Sequence, residues 1–324
     1  MSRNRKQKKQ RRVLKVILVI LILILIFTIG VFGGALYLFG NLNTVDFTAD
    51  EEELGIAGDG VRGITNIALF GVDTRDMDSD RGLSDAIIIL TVDSNENVIK
   101  MTSILRDSKV PIEGYGERKI NGAYSLGGPS LAINTLNQNF DLDIKEYVTV
   151  NFAQLAEIVD AVGGVTLELT PAEVQSANRA MTESFPNEPK IESSGTVTLS
   201  GPQAVSYSRI RNIDSDNARA SRQQEVLSAV FDKIMSMPKS DYPAFIREFL
   251  GIVETSLDYG DMLALSPIAV SGFTIESYTV PDAEFETDLW GGIDSNGAWV
   301  WIYDLDHAAE RIHHIIYGEP YPAE

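Results

Sequence analysis

The chain has 324 residues, of which 44% are hydrophobic, and its 46 acidic residues outnumber its 27 basic ones to give a net charge of −19. Such an acidic surface repels nucleic-acid phosphates, which makes a nucleic-acid-binding role for the main domain unfavourable. The chain has no cysteine, which excludes disulfides, thiolate metal sites and cysteine nucleophiles.

The N-terminal region predicts a membrane anchor. Eight basic and no acidic residues lie within 1–15, and the following segment, 16–40, is uncharged. A helix that rises about 1.5 Å per residue crosses a hydrocarbon core of roughly 30 Å over this length, whereas the apolar part of a cleaved signal peptide usually has only about 7 to 15 residues. We therefore expect a cytoplasmic tail at 1–15 and one transmembrane helix at 16–40, with the rest of the chain outside the cell membrane.

The part beyond the anchor predicts a stalk and one large domain. The segment 41–62 is acidic and rich in glycine, which is typical of a stalk, and the pattern is globular from 63 towards the C-terminus at 324. Near-continuous Ile, Leu and Val predict buried strands of a sheet covered on both faces. The first strands are expected at 64–72, 86–92 and 97–104, the last two as a hairpin.

The following segments alternate between helix and strand. Gly127-Gly128-Pro129 predicts a turn that opens a helix at 129–137, and Gly163-Gly164 predicts the end of another helix. This order indicates an α/β fold. Further strands are expected at 147–152, 165–169, 273–280 and 298–303, and further helices at 153–162, 218–237, 242–256 and 304–316. The polar stretch 171–198 is interpreted as a long loop and a candidate lid.

Two aspartates are predicted to lie where neighbouring strands meet. Asp73 and Arg75 follow the first strand, and Asp85 begins the next. Active sites of open α/β sheets lie at strand ends, and two carboxylates there suit Mg²⁺, which takes its other ligands from phosphate oxygens and water. The alternative interpretation is that these aspartates are only turn residues.

Basic residues are concentrated in two other places. Arg106 leaves the third strand, and a salt bridge is its alternative role. A denser group of arginines occurs between 207 and 224, where Arg209 and Arg211 alternate on a strand-like segment while Arg219, Arg222 and Gln223 share one face of a helix. Planar guanidinium groups bind phosphate through paired hydrogen bonds, although ion pairs with the many acids are the alternative.

The aromatic and histidine residues near the C-terminus carry weaker signals. His307, His313 and His314 have no carboxylate at metal-ligand spacing and are interpreted as surface or packing residues. Trp290, Trp299 and Trp301 are interpreted as core residues or a pocket wall rather than as a sugar platform.

Several motifs together resemble the LytR-CpsA-Psr family. They occur in the family's order between about 66 and 224, as NIALFGVDTR, SD, SILRD, GYGERKINGAY, GGP, VDAVGGV, LSGPQA, YSRIR and DNARASRQ. The resemblance implies a three-layer α/β/α domain with a central mixed sheet. It also implies a membrane-anchored enzyme of the Gram-positive envelope that transfers a glycopolymer, such as teichoic acid or capsule polysaccharide, from a polyprenyl pyrophosphate carrier to peptidoglycan through a phosphodiester.

The resemblance also assigns expected roles to particular residues. Asp73 and Asp85 would hold Mg²⁺ or Mn²⁺. The residues expected to act in catalysis are Arg106, Asp73, Asp216 and Arg219. The pyrophosphate is expected to contact Arg75, Arg106, Lys119, Arg209, Arg211, Arg219, Arg222 and Gln223. The general base is expected to be one of Asp73, Asp85 and Asp216.

Three functions follow as hypotheses. The first is the Mg²⁺-dependent transferase, acting on lipid-linked glycan and peptidoglycan next to membrane lipid, with pyrophosphatase as a side activity. The second is a non-catalytic binder or scaffold for lipid-linked glycans. The third is an envelope-related regulator, which the predicted outward topology opposes.

Overall fold

The computed structural model describes residues 50–56, 60–74, 82–210, 252–257, 274–286 and 288–318, with Asp261 and single positions between 222 and 238. No helix within these ranges is both long and apolar enough to cross a membrane, and the predicted span at 16–40 lies outside them. The chain forms two compact units, one from Asn43–Asn151 with Glu254–Glu324 and one that includes Phe152–Val253. We call them the sheet unit and the inserted unit.

The described elements alternate between strand and helix for much of the chain. They are β1 (Ile64–Val72), β2 (Ser84–Asp93), β3 (Val98–Ile104), β4 (Lys109–Ile112), β5 (Gly116–Lys119), α1 (Gly122–Phe140), β6 (Glu146–Asn151), α2 (Phe152–Ala161), β7 (Val165–Leu169), α3 (Pro171–Ser184), β8 (Gly195–Leu199), α4 (Gly201–Ser208), β9 (Glu254–Thr255), β10 (Thr274–Val280), β11 (Trp290–Ile293), β12 (Trp299–Ile302) and α5 (Leu305–Tyr317).

A six-stranded mixed sheet forms the centre of the sheet unit. Its strand order is β10-β3-β2-β1-β6-β9, with β1/β6 and β3/β10 parallel and the other pairs antiparallel. Residues on both faces of β1 are buried, because Ile67 and Leu69 alternate with Ala68 and Phe70. The predicted mixed sheet, its first strand and its β2–β3 hairpin are thus confirmed.

Helices α1 and α5 contribute to the core on one face of this sheet. Phe70 of β1 lies 5.3 Å from Tyr124 of α1 between ring centroids, and Ile312 and Ile316 of α5 belong to the same buried cluster. The predicted helical segment that opens at 129 is confirmed, because Gly128 has non-helical backbone angles (φ 69°, ψ −160°) and α1 is divided by a kink directly before Pro129. The helical residues before this kink, from Gly122 onwards, were not predicted.

Residues 50–56 fold onto α1 although they fall within the predicted stalk. Leu54 is buried, and its carbonyl accepts a hydrogen bond from Asn137 Nδ2 at 2.8 Å. Asn134 Nδ2 donates to the carbonyl of Glu53 at 2.9 Å. The folded part of the sheet unit therefore includes residues well before 63.

The inserted unit begins with α2 and the β7–β8 hairpin. After α2 the chain turns at Gly163 and Gly164, which have φ values of 77° and 85°. A Cβ at Gly164 would lie 2.7 Å from the carbonyl oxygen of Leu199, so glycine is required there by both conformation and space. The predicted helix stop and the following strand are confirmed.

The interpretation of 171–198 as a long loop was wrong, whereas its role as a candidate lid stays a prediction. This segment contains α3 and most of β8, and α3 begins with a capping box in which Thr170 and Glu173 bond each other's backbone N–H groups. The connection between them is held by Asn178, whose side chain bonds both backbone groups of Ile191 at 2.8 and 2.9 Å. The segment is polar because little of α3 is buried, and its helical signal lies in the cap rather than in an apolar stripe.

A second correction concerns the segment around Arg209. Tyr207 and Ser208 end helix α4, and Arg209 is its C-cap rather than part of a strand. The predicted strand-like conformation is therefore wrong at Arg209, whereas its alternation with Arg211 stays a prediction because Arg211 lies outside the described residues. All described positions within the predicted 218–237 helix are helical. The predicted 242–256 helix is wrong at its end, where residues 254 and 255 form strand β9.

Candidate functional site

A β-bulge places Asp85 at the end of the β1–β2 pair. Gly71 is paired with Ala86 and Val72 with Ser84, so Asp85 is the extra residue in the register. Bulges of this kind redirect a side chain out of the regular alternation. Asp73 follows β1 directly, and its N–H donates to the carbonyl of Leu83 at 2.9 Å. Both predicted metal-binding aspartates are therefore at the same end of this strand pair.

A chain of ion pairs connects this strand end to the residues after β3. Arg106 Nη1 lies 2.5 Å from Asp85 Oδ1, and Arg106 Nε lies 3.4 Å from Asp107 Oδ2. Lys119 Nζ, at the end of β5, donates to Asp107 Oδ1 at 2.7 Å. The side chains of Asp85 and Asp107 are only 7% and 9% exposed, and that of Arg106 is 18% exposed. We call Asp85, Arg106, Asp107 and Lys119 the ion-pair chain.

Backbone hydrogen bonds fix the segment that carries this chain. The carbonyl of Arg106 accepts from Asn121 N–H at 3.2 Å, and the carbonyl of Asn121 accepts from the backbone and the hydroxyl of Ser84, both at 3.3 Å. The carbonyl of Asp107 accepts from Trp301 N–H at 2.9 Å. The guanidinium is thus presented from a segment tied to both β2 and β12, which favours a fixed geometry.

Asp107 is the site residue that sequence reasoning missed. An acid next to an arginine is common in an acidic chain, and the SILRD motif gave it no separate role. Its position between Arg106 and Lys119 is visible only in the structure. Asp107 could have been selected from the sequence because it directly follows Arg106, the arginine predicted to bind phosphate.

Asp73 and Asp85 provide carboxylate oxygens of the type that binds Mg²⁺. No cluster of three or more Asp, Glu, His or Cys side chains within the described ranges could hold a metal ion. Asp73 is exposed and Asp85 is buried beside Arg106. Mg²⁺ commonly binds one or two carboxylates and completes its octahedron with water and substrate phosphate, so this donor set fits Mg²⁺ bound together with a phosphate ligand.

The inserted unit holds Arg209 beside an aromatic ring. The guanidinium carbon of Arg209 lies 4.6 Å from the ring centroid of Phe152, and Nη1 donates to Ser184 Oγ at 3.2 Å. The side chain is half-buried and combines a cation–π contact with a hydrogen bond to the end of α3.

Arg222 is buried among groups of the inserted unit. Its Nε donates to Glu173 Oε1 at 3.1 Å, and its Nη1 donates to the carbonyl of Ile210 at 3.4 Å. Burial raises the pKa of Glu173, but hydrogen bonds from Thr170 and the Arg222 guanidinium outweigh it and hold the pKa below its usual range. These contacts tie the start of α3 to the segment after α4.

The remaining predicted site residues lie outside the described part of the chain. They are Arg75, Arg211, Asp216, Arg219 and Gln223. Their roles stay predictions from the motifs. The residues that the structure brings together are Asp85, Arg106 and Lys119, with Asp73 at the same strand end.

The aromatic residues near the C-terminus differ from expectation in part. Trp290 and Trp299 are exposed, so their interpretation as core residues was wrong, because β11 and β12 form a separate two-stranded hairpin. Trp301 is partly buried and packs against the core cluster, as predicted. The histidines are surface or packing residues, as predicted. His313 Nε2, for example, lies 2.7 Å from the carbonyl of Asp141, which follows α1.

Comparison with known proteins identifies the family. The model of the LytR_cpsA_psr family matches residues 42–314. A relative from Oceanobacillus iheyensis, named polyisoprenyl-teichoic acid–peptidoglycan teichoic acid transferase TagU, is 33% identical over 262 residues, covering 78% of this chain and 75% of the relative.

Solved structures share the fold. TagT bound to LI-WTA has 25% sequence identity and a TM-score of 0.59, with 85% of this chain and 97% of that chain covered. The LytR-CPS2A-psr family protein YwtF (TagT) with bound octaprenyl pyrophosphate lipid has 22% identity and a TM-score of 0.56 over 85% of this chain and 97% of that one. With its motifs, its mixed sheet and these matches, the chain belongs to the LytR_cpsA_psr family.

Proposed function

We propose that the protein transfers a glycopolymer, such as teichoic acid or capsule polysaccharide, from a polyprenyl pyrophosphate carrier to peptidoglycan and joins them by a phosphodiester. The observation that carries the proposal is the ion-pair chain, in which Arg106 and Lys119 are held by two buried carboxylates at a strand end. The name of the TagU relative and the octaprenyl pyrophosphate bound to TagT support a substrate of this class.

The chain's own residues would act mainly through charge and position. Arg106 and Lys119 would donate charge-assisted hydrogen bonds to pyrophosphate oxygens as the acceptor hydroxyl attacks the sugar-proximal phosphorus. The phosphorus–oxygen bond to polyprenyl phosphate then breaks, and polyprenyl phosphate leaves with the electron pair. Asp85 and Asp107 would orient Arg106, because they contact its Nη1 and Nε atoms respectively. Asp107 would also orient Lys119.

The proton of the acceptor hydroxyl requires a base near the attacking oxygen. Asp73 is exposed at the end of β1, whereas the side chain of Asp85 is only 7% exposed and therefore less accessible to an acceptor hydroxyl. We therefore assign the base to Asp73 among the described candidates; Asp216 lies outside them. When water replaces the acceptor, the same arrangement would hydrolyse the pyrophosphate as a side activity.

Asp73 and Asp85 would also hold Mg²⁺ or Mn²⁺, which would supply further positive charge to the pyrophosphate oxygens. The pyrophosphate would also be contacted by the other arginines and the glutamine expected from the motifs, which are Arg75, Arg209, Arg211, Arg219, Arg222 and Gln223. The protein would work at the outer side of a Gram-positive cell membrane, with its N-terminus in the cytoplasm.

The test is a transfer assay with the full-length chain in detergent. The reaction contains polyprenyl-pyrophosphate-linked teichoic acid, peptidoglycan oligomers and Mg²⁺, and the coupled product is measured by mass spectrometry. Replacement of Arg106 by Ala should lower transfer by about 100-fold or more, the usual effect of removing one donor to a developing charge. Chelation of divalent cations should abolish transfer, and added Mg²⁺ should restore it.

Arg118 provides the matched control. It is exposed on β5, its Nε donates to the Tyr115 carbonyl at 3.0 Å, and it has no place in the ion-pair chain. Arg118→Ala should transfer normally. Full activity of a folded Arg106→Ala protein, or binding of the donor without any turnover by the wild type, would refute the proposed reaction.

A further inference from the structure

Three helix ends of the inserted unit meet at the side chain of Arg209. Arg209 is the C-cap of α4. Its guanidinium carbon lies 4.6 Å from the ring centroid of Phe152, the first residue of α2, and its Nη1 donates at 3.2 Å to the hydroxyl of Ser184, the last residue of α3. The motifs selected Arg209 but gave neither Phe152 nor Ser184 a role.

These two contacts fix the direction of the guanidinium without neutralising its charge, because a phenyl ring and a hydroxyl are uncharged. Arg222 and Arg311 are held differently, since they donate to the carboxylates of Glu173 and Glu286. The ring contacts the face of the Arg209 guanidinium, whereas the five N–H donors of the group lie in its plane. Stacking on Phe152 is therefore compatible with hydrogen bonds from this plane to an anion.

The position of Arg209 also suits the electrostatics of two helix ends. Helices α3 and α4 have no basic residue in their own last turns. The C-terminal end of a helix carries partial negative charge, and a nearby cation interacts favourably with it. Arg209 follows the last residue of α4 and contacts the last residue of α3, so the fold favours a guanidinium at this point before any ligand binds.

Close packing fixes the helices around Arg209. Helix α4 packs on both α2 and α3. A Cβ at Gly201, the first residue of α4, would lie 2.1 Å from the carbonyl oxygen of Ala156 in α2, so the two helices approach at a distance that only glycine allows. Gly201 N–H also donates to Asp160 Oδ1 of α2 at 2.7 Å. The ring and the hydroxyl that contact Arg209 are thus presented from a rigid frame.

We propose that Phe152 and Ser184 are positioning residues that preorganise Arg209 to bind a pyrophosphate. The identification of the anion rests on the proposed function, in which Arg209 contacts the pyrophosphate of the donor. An unrestrained arginine samples many rotamers, and a ligand that has to restrict them loses affinity. The ring and the hydroxyl restrict Arg209 in advance, so less affinity is lost when the anion binds.

Binding of inorganic pyrophosphate tests this proposal without requiring turnover. The full-length protein in detergent is titrated with magnesium pyrophosphate by isothermal titration calorimetry. Phe152→Leu keeps an apolar side chain but removes the π face, and it should weaken binding by about 3- to 10-fold. Ser184→Ala removes one hydrogen bond and should weaken binding by about 2- to 10-fold. Phe152→Tyr keeps the ring and should bind like the wild type.

A double-mutant cycle distinguishes positioning of Arg209 from a general effect on folding. Arg209→Ala should itself weaken pyrophosphate binding. In this background Phe152→Leu and Ser184→Ala should cause no further loss, because both residues act through Arg209. Far-ultraviolet circular dichroism verifies that all variants are folded. A further loss of the same size in the Arg209→Ala background would overturn the proposal.

Thr182→Val is the matched control for Ser184→Ala. Thr182 lies two residues earlier on α3, and its hydroxyl donates to the Asn178 carbonyl at 2.9 Å and accepts from Lys190 Nζ at 2.8 Å. Because this hydroxyl bonds neighbours of its own segment, its removal should leave pyrophosphate binding unchanged. An equal loss in Thr182→Val and Ser184→Ala would show that the effect does not depend on the contact with Arg209.

The outcomes also separate this proposal from the proposed reaction. In the transfer assay, Phe152→Leu should raise the KM for the lipid-linked donor and leave the KM for peptidoglycan unchanged. The positioning role is refuted, with the reaction left standing, when wild-type transfer is normal but Phe152→Leu and Ser184→Ala bind pyrophosphate like the wild type, or the wild type does not bind it. If the wild type forms no coupled product while pyrophosphate binding follows the expected cycle, the proposed reaction fails and the positioning role stands.

Discussion

Replacement of Asp107 by Asn tests whether this residue holds the candidate site together. Asparagine keeps the shape and one acceptor oxygen but removes the charge that lies 3.4 Å from Arg106 Nε and 2.7 Å from Lys119 Nζ. At an effective dielectric constant of about 20, these contacts correspond to roughly 5 and 6 kcal/mol of attraction before desolvation is subtracted.

Desolvation offsets most of this attraction. Loss of one member of a buried ion pair costs about 3–5 kcal/mol. Here Arg106 keeps Asp85 and the Lys119 side chain is 31% exposed, so both can be partly compensated. We expect a loss of about 2 kcal/mol, which for a unit of this size lowers the unfolding midpoint by about 4–8 °C. Displacement of both cations should lower transfer on the order of 10- to 100-fold.

Thermal unfolding and the transfer assay measure the two effects. Glu117→Gln is the matched control, because Glu117 pairs with Lys109 at 3.3 Å but is 68% exposed. An exposed pair contributes at most about 1 kcal/mol, so this variant should remain close to the wild type in both assays. If Asp107→Asn unfolds at the wild-type temperature with unchanged transfer, Asp107 does not position the cations.

Three further predictions concern stability, each measured by equilibrium unfolding in urea. The pKa of Glu173 is lower in the folded than in the unfolded state, so its charge stabilises the fold above the unfolded-state pKa, and this stabilisation is lost as the pH falls through the folded-state pKa. The loss of unfolding free energy in Glu173→Gln should therefore shrink between about pH 6 and about pH 3. A loss that is the same at both pH values would contradict this. Gly163→Ala should lower the free energy of unfolding by about 1–2 kcal/mol, because alanine is strained at a positive φ. Gly164→Ala should lower it further, because its Cβ would also collide with the carbonyl oxygen of Leu199. Equal losses in the two variants would show that the structure relieves this collision. Arg311→Met should cost about 3–5 kcal/mol by leaving Glu286 buried without its cation at 2.7 Å, and the added change Glu286→Leu should recover most of the loss; a further loss in the double variant would contradict this account.

The strands and the helices that bury an apolar face were predictable from the sequence. The patterns at 64–72 and 165–169 matched β1 and β7 because their Ile, Leu and Val are read directly as buried strands. Helix α3 was missed because most of its residues remain polar and exposed, so its stability begins with a cap rather than with periodicity. The boundary at Gly128 was predicted correctly, but the helical residues of α1 before it, from Gly122 onwards, were missed because the glycines were interpreted as part of a turn.

The site was predictable in its residue types but not in its connections. Asp85, Arg106 and Lys119 were selected from motifs, and the structure brings them together through Asp107. The order of residues along the sequence cannot show that one carboxylate contacts two cations that are thirteen residues apart. The exposed tryptophans were misread for a related reason, since an apolar strand predicts burial unless its hairpin stands apart from the main sheet.

The packing of residues 50–56 on α1 limits how far the folded unit can extend from the membrane. If 16–40 spans the membrane as predicted, only the segment 41–49 separates the bilayer from the folded unit. A chain of about nine residues extends to roughly 30 Å at most, whereas a spacer that ran to residue 62 could extend to more than roughly 70 Å. The protein would then be confined to the innermost layer of the wall, and acceptor strands farther out would stay beyond it.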